Sequence, residues 1–124
     1  MLFISIFLGG GSGALARFIL VNQINKLVPS QIAYGTISVN IIGALLIGMI
    51  YYLILSKLNI NENIKVFITV GFLGGFTTFS SFNLEFFKLL ESGNFINALI
   101  YAVLTFAGTI LSFYFGFNLM KVIT

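Results

Sequence analysis

The stretch that decides the fold runs from residue 71 to residue 82 and reads Gly71-Phe72-Leu73-Gly74-Gly75-Phe76-Thr77-Thr78-Phe79-Ser80-Ser81-Phe82. It lies inside an apolar run, residues 64–90, that is long enough to cross a membrane as a helix. Paired glycines followed by Thr-Thr and Ser-Ser are poor material for a continuous helix. A break inside lipid persists only where it is buried in protein or lines a cavity. The stretch therefore predicts a span broken in mid-membrane, with a kinked but continuous helix as the alternative.

Three other apolar runs of membrane-spanning length flank this stretch, at residues 2–21, 32–55 and 95–122. Charged residues make up only 7% of the 124 residues, whereas an average soluble domain carries about a quarter. Because so few charges cannot form a water-soluble surface, a soluble protein is excluded. We predict an all-α integral membrane protein with four transmembrane helices in a single domain, residues 1–124, surrounded by lipid. A cleavable signal peptide is the alternative for the first run, but no basic residue precedes that run.

Missing residue types narrow the chemistry. The sequence has no cysteine and no histidine, and its only acids are Glu62, Glu85 and Glu91. The chain therefore lacks the residues for thiolate chemistry and the commonest general base, histidine. It also has too few acids for paired-carboxylate catalysis. The net charge of +3 is spread along the chain, so it does not indicate nucleic-acid binding. We expect neither an enzyme nor a nucleic-acid partner.

The positive charges are evenly divided between the two sides of the predicted bundle. Lys57, Lys65 and Lys121 fall on the side that holds both ends of the chain, whereas Arg17, Lys26 and Lys88 fall on the other. The positive-inside rule then gives no preferred orientation. Either the tie is chance among few charges, or the chain inserts in both orientations and pairs antiparallel.

The polar groups predicted to lie within the spans are hydroxyls, an amide and backbone. Tyr101, Thr105 and Thr109 follow one another at four-residue spacing and therefore form a stripe on the fourth span; bonding to the backbone one turn earlier is the alternative role for such hydroxyls. Asn40 in the second span needs buried partners or can donate to an anion. Arg17 either extends to the interface or forms an electropositive vestibule.

Two phenylalanines lie among the hydroxyls of the opening stretch. Phe79 and Phe82 are three residues apart, so they share a helical face. Because aromatic ring edges carry partial positive charge, such an edge can face a small anion. With no acid in mid-span, this set of groups suits a small, strongly hydrated anion better than a proton-coupled cation exchanger.

Three segments of the chain, Gly9-Gly10-Gly11-Ser12-Gly13-Ala14-Leu15-Ala16-Arg17-Phe18, Gly35-Thr36-Ile37-Ser38-Val39-Asn40 and residues 71–82, resemble the Fluc (CrcB) fluoride channels. The resemblance implies a multi-pass protein of the cell membrane that exports fluoride passively and gives fluoride resistance. Hydrogen fluoride enters a cell as a neutral acid, ionises and is trapped unless a channel releases the anion. Members of the family are antiparallel, dual-topology homodimers with two pores, each lined by both subunits.

The resemblance also implies roles for matching positions. The fluoride pathway would include Arg17, Asn40, Phe79, Ser80, Ser81, Phe82, Tyr101, Thr105 and Thr109. A structural sodium ion, which is not transported, would lie on the two-fold axis. Its ligands would be the backbone carbonyls of Gly74 and Thr77 from each subunit.

Two other functions compete with the channel. A small four-span multidrug exporter is also short and dual-topology, but that family uses a glutamate in its first span, and residues 2–21 contain no acid. A non-conducting assembly subunit would need only the packing glycines, and it would leave the hydroxyl stripe unexplained.

Overall fold

The structure, a computed structural model, describes residues 1–56 and 59–124. Lys57, one of the six cations in the charge comparison above, lies outside the described residues. The described elements are α1 (Leu2–Leu27), α2 (Tyr34–Ser56), α3 (Glu62–Val66), a π-helical segment π1 (Phe67–Leu73), α4 (Gly74–Phe76), α5 (Ser80–Glu91) and α6 (Phe95–Ile123). Four stretches are long and apolar enough to cross a membrane: α1, α2, α6 and the composite third span Glu62–Glu91. The prediction of four spans is therefore confirmed.

Helix α1 continues to Leu27, beyond the predicted boundary at residue 21. The polar residues after Val21 mark the end of the apolar run but do not stop a helix. The extension places Asn25 beside the start of α2, where its Oδ1 atom accepts a hydrogen bond of 2.9 Å from the Gly35 N–H. This contact satisfies one of the N–H groups that a helix start leaves unpaired. The end of the apolar run and the end of the helix are therefore different points on α1.

Helices α2 and α6 pack along most of their lengths. A methyl group added at Gly48 would overlap the Phe113 carbonyl oxygen, and one added at Gly116 would overlap the Leu45 carbonyl oxygen. Because both glycines lack a side chain, the two backbones come into direct contact, as small residues allow in membrane helices. Many large apolar side chains on the outer surface are exposed, as expected where the surrounding medium is lipid.

The third span changes its helical form twice and is interrupted between α4 and α5. Thr77 ends α4 in an extended conformation, with φ −88° and ψ 158°, and α5 begins three residues later at Ser80. The interruption of the helix at residues 77–79 falls within the stretch 71–82, and the position of this break in mid-membrane stays a prediction. On the near side of the break, π1 and α4 lie against α1. A Cβ atom at Gly9 would be 2.9 Å from the Phe72 nitrogen, and one at Gly75 would be 3.1 Å from the Ala14 nitrogen.

Candidate functional site

A buried amide on α2 bridges the break. Asn40, 8% exposed, donates from Nδ2 to the Thr78 carbonyl at 2.9 Å, and its Oδ1 atom accepts from the Thr78 N–H at 2.8 Å. The side chain thus pairs with one residue of the interrupted backbone as a neighbouring strand would. A buried amide needs such partners. One Nδ2 hydrogen remains for another acceptor.

Two carbonyls at the break lose the donors that a continuous helix would give them. In an unbroken helix the Thr78 N–H would donate to Gly74, and the Ser81 N–H would donate to Thr77. Instead, Thr78 N–H donates to Asn40, and Ser81 N–H donates to the Thr78 hydroxyl at 3.2 Å. These carbonyls belong to the two residues predicted to bind sodium. The Thr77 carbonyl accepts a hydrogen bond of 3.4 Å from the Arg17 guanidinium in place of its helical donor, which leaves it one further lone pair. Main-chain oxygens suit a hard cation, so the Gly74 carbonyl and the remaining lone pair of the Thr77 carbonyl fit such an ion.

The described residues contain no group of three or more His, Cys, Asp or Glu side chains that could hold a metal. A cation bound within this part of the chain would therefore depend on carbonyl and hydroxyl oxygens, and the break supplies both.

A cavity of about 190 Å³ lies on the α1 side of the break, lined in part by Arg17, Thr36, Thr78, Ser81 and Glu85. Arg17 reaches the break itself, since its guanidinium donates to the Thr77 carbonyl at 3.4 Å. This cavity therefore holds a cation and an anion among hydroxyl groups. The structure places two predicted pathway residues, Arg17 and Ser81, in the same cavity.

Glu85 was not among the predicted site residues, although it joins three elements. Its Oε1 atom accepts a hydrogen bond of 2.9 Å from the Thr36 hydroxyl on α2, and its Oε2 atom accepts from the Tyr101 hydroxyl on α6. The sequence holds a signal for this position, because Glu85 is four residues after Ser81 and three after Phe82, on the same face of α5. An acid inside an apolar span is expensive and therefore marks a functional position.

A larger cavity of about 480 Å³ lies on the opposite side of the break, lined in part by Asn40, Thr77, Thr78, Thr105 and Thr109. Thr78 also lines the α1-side cavity. Its side chain is buried, and its hydroxyl lies 3.4 Å from that of Ser80. Thr78 is therefore the residue that lines both cavities. The sequence alone does not distinguish it from Thr77, the other residue of the Thr-Thr pair.

The hydroxyl stripe of α6 divides into different environments. The Thr109 hydroxyl donates to the Thr105 carbonyl one turn earlier at 2.7 Å, the local role open to such groups. Tyr101 is buried against Glu85. Among the buried side-chain polar atoms of the described residues, only Thr105 Oγ1 has no hydrogen-bond partner. Because Thr105 lines the 480 Å³ cavity, its hydroxyl is the one of the stripe that can donate a hydrogen bond to a ligand there.

Phe79 and Phe82 stack on each other, with ring centroids 5.6 Å apart, but their surroundings differ. Phe82 is 3% exposed and stacks on Tyr101 at 5.0 Å with the ring planes 8° apart. Phe79 is 60% exposed and lines the larger cavity. Each ring also makes a T-shaped contact with Phe106, at 6.2 Å for Phe79 and 5.6 Å for Phe82. Of the two rings, Phe79 is the one with surface exposed to an anion, which a ring edge attracts.

Comparison with known proteins decides the family. A sequence model described as "CrcB-like protein, Camphor Resistance (CrcB)" matches residues 4–117, a range that includes all three motifs quoted above. The chain belongs to the CrcB family. Its relatives in this family include proteins named "Fluoride-specific ion channel FluC" from Pseudomonas fluorescens, 42% identical over 120 residues and 97% of each chain, and from Campylobacter fetus, 42% identical over 126 residues and 98% of each chain. A CrcB relative from Magnetococcus marinus bears the same name and is 37% identical over 111 residues and 90% of each chain.

The resemblance to the CrcB family is therefore confirmed along almost the whole chain. Together with the four apolar spans, it makes this a multi-pass membrane protein.

Proposed function

We propose that this chain is a fluoride-specific channel that lets fluoride leave the cytoplasm passively. The CrcB relatives bear that name. The structural observation that carries the proposal is the break at residues 77–79, where the buried Thr78 lines two cavities. Hydroxyl groups, a guanidinium and aromatic ring edges surround this junction, and all of them can replace the water around a small anion.

The proposed pathway runs from the Arg17 cavity, past Thr78, into the cavity that holds Thr105. Arg17 attracts the anion, while Ser80 and Ser81 offer hydroxyls at the start of α5, where a helix N-terminus also favours negative charge. Thr105 offers a free hydroxyl further along, followed by Thr109, and the ring edges of Phe79 and Phe82 stand beside the path. Asn40 holds the break in shape and can donate its remaining Nδ2 hydrogen.

Glu85 belongs to the polar lining at the Arg17 end of the path, and the buried Tyr101 lies behind it. Their hydrogen bond fixes the Tyr101 hydroxyl, and the charge of Glu85 lies in the same cavity as Arg17. A carboxylate repels fluoride, so its contacts with Thr36 and Tyr101 serve to keep it at the wall of the cavity and partly neutralised by donors.

The working unit that we propose is an antiparallel, dual-topology homodimer. The 480 Å³ cavity is wide open in a single subunit and is lined by Thr105, Thr109 and the backbone of the break. Lipid does not tolerate exposed irregular backbone, so protein has to cover this face. A second copy in the opposite orientation fits the even division of positive charges in the sequence.

A structural sodium ion is proposed to join the two breaks. The carbonyls of Gly74 and Thr77 from each subunit would bind it, for the reason given above: their helical donors are directed elsewhere. Bound there, the ion would neutralise carbonyl oxygens that lipid cannot satisfy, and it is not transported.

Fluoride efflux from liposomes holding the purified protein tests the proposed function, with chloride-loaded liposomes as the selectivity control and protein-free liposomes as the background. We expect fluoride to leave without a proton gradient, while chloride is retained. Equal leakage of both anions, or no leakage of either, contradicts the proposal. Efflux of an organic cation driven by a proton gradient would instead indicate the exporter.

A further inference from the structure

The second span also touches the break at Gly43, which lines the 480 Å³ cavity and has no role of its own in the proposed pathway. Gly43 lies three residues after Asn40, on the same face of α2, and a methyl group added at Gly43 would overlap the Cγ2 atom of Thr77. We propose that Gly43 is a positioning residue: its bare backbone receives the Thr77 side chain and so fixes the direction of the Thr77 carbonyl. This inference rests on the proposed cation site.

The neighbour of Gly43 distinguishes it from the glycines that only bring helices together. On the same helix, Gly48 faces the backbone of α6 at Phe113, which is the usual contact between closely packed membrane helices. Gly43 instead faces a side chain of the break, with Phe76 Cδ2 3.7 Å from the added carbon as the next atom. Its lack of a side chain therefore serves the break and not the approach of two helices.

Helix α2 thus holds the break at two consecutive residues by two kinds of contact. Asn40 fixes Thr78 through hydrogen bonds, and Gly43 fixes Thr77 through van der Waals contact. A peptide unit between two fixed residues has little freedom to rotate, because each residue contributes only two soft dihedral angles. The carbonyl between Thr77 and Thr78 belongs to Thr77, and it is one of the proposed sodium ligands. It also accepts a hydrogen bond of 3.4 Å from Arg17 on α1, so α2 sets its direction together with that contact.

The Thr77 side chain cannot simply turn away from a larger residue at position 43. Its hydroxyl donates to the Leu73 carbonyl at 3.0 Å, and its N–H donates to the same carbonyl at 3.1 Å. Rotation that moved Cγ2 away from α2 would break the hydroxyl contact in a membrane, where a new partner is scarce. The backbone of Thr77 would therefore move, and its carbonyl would move with it.

A compensating pair of substitutions tests this role. Gly43→Ala adds the carbon that overlaps Cγ2, and Thr77→Ser removes Cγ2 while keeping the hydroxyl and the carbonyl. The readout is the melting temperature of the purified dimer, measured while sodium chloride replaces N-methyl-D-glucamine chloride at constant ionic strength. We expect Gly43→Ala to weaken the apparent sodium affinity about tenfold, because one of the proposed ligands is moved. The double variant Gly43→Ala/Thr77→Ser should recover most of the sodium response.

Gly108→Ala on α6 is the matched control, because its added methyl group meets only the flexible side chain of Ile41 and not the backbone of the break. It should lower the melting temperature equally in sodium and in N-methyl-D-glucamine, with an unchanged sodium affinity. Fluoride efflux measured in parallel should fall for Gly43→Ala at low sodium and recover in the double variant.

Three results would overturn the inference. The first is a wild-type sodium response in Gly43→Ala. The second is a double variant whose sodium affinity is no higher than that of Gly43→Ala. If Gly43→Ala alone yields no folded protein, a double variant that also fails to fold overturns the inference. The third is a wild-type protein that does not respond to sodium, which removes the cation site and the role of Gly43 together; fluoride efflux from the wild type then still tests the channel separately.

Discussion

The two halves of the third span are held in place by different kinds of contact. Before the break, π1 and α4 press their backbones directly against the backbone of α1, at Gly9 and Gly13 on one side and Gly71 and Gly75 on the other. After the break, α5 is held through its side chains. There Glu85 accepts from hydroxyls on α2 and α6, and the Phe82 ring stacks on α6.

The two halves of the third span are therefore sensitive to different kinds of substitution. The first half needs an absence of side chains, so any added atom harms it whatever its polarity. The second half needs particular groups, so it tolerates a change of shape better than a loss of a hydroxyl, a carboxylate or a ring. The break lies between the two, where Asn40 satisfies the interrupted backbone.

The largest effect is expected from a side chain in the backbone-packed half. A Cβ atom at Gly13 would overlap the Phe72 carbonyl oxygen, and neither backbone can move without separating the helices. We expect Gly13→Ala to cost about 3 kcal/mol or more, as severe overpacking does, and to abolish recovery of a monodisperse dimer after mild heating in size-exclusion chromatography.

Gly11→Ala is the control for that substitution, because a Cβ atom there meets nothing within 4 Å. It lies two residues away on the same helix and should behave as wild type. If both variants are equally stable, close backbone packing does not hold this half of the span.

A smaller loss is expected at the junction. Asn40→Ala removes two hydrogen bonds to the Thr78 backbone and leaves a buried N–H and C=O without these partners. We expect a cost of about 2 kcal/mol and a loss of fluoride efflux, measured by thermal unfolding and liposome assay. Ser38→Ala, on the same helix, removes only a contact with the Tyr34 carbonyl and should change neither. An Asn40→Ala protein that is as stable as Ser38→Ala would show that the break does not need the amide.

These contrasts also show what the sequence could predict. The apolar runs predict four spans because lipid imposes a length and a composition on each helix, and the Gly-Thr-Ser stretch predicts the break because its residues favour other backbone conformations. The partner of Asn40 could not be predicted, since a sequence shows that an amide needs partners but not which distant backbone supplies them. Glu85 was missed for a related reason. It connects three helices only through its hydrogen bonds with Thr36 and Tyr101, and the sequence does not show that these residues lie beside it.

In the half held by side chains, removing one hydroxyl should cost less than Asn40→Ala. Tyr101→Phe deletes the donor to Glu85 and keeps the ring that stacks on Phe82 at 5.0 Å. We expect a loss of about 1 kcal/mol, typical of a hydrogen bond between membrane helices. Tyr101→Leu should lose about 1 kcal/mol more, because the aromatic stack also disappears. If the two variants unfold at the same temperature, the ring stack does not stabilise this half.

The smallest effect on stability, with a large effect on conduction, is expected at Phe79. Its ring is 60% exposed within the subunit and lines the larger cavity, whereas the equally apolar Phe82 is buried in the stack. Phe79→Ile should therefore change the free energy of unfolding by less than about 0.5 kcal/mol, as changes at open positions do, while liposome efflux of fluoride falls. Phe82→Ile should lower both stability and efflux, because the same ring serves packing and pathway. Unchanged efflux in Phe79→Ile would remove the aromatic edge from the pathway, and a stability loss as large as that of Phe82→Ile would show that the partner subunit packs on Phe79. The pair thus separates a ring that acts on the ion from one that also holds α5 in place.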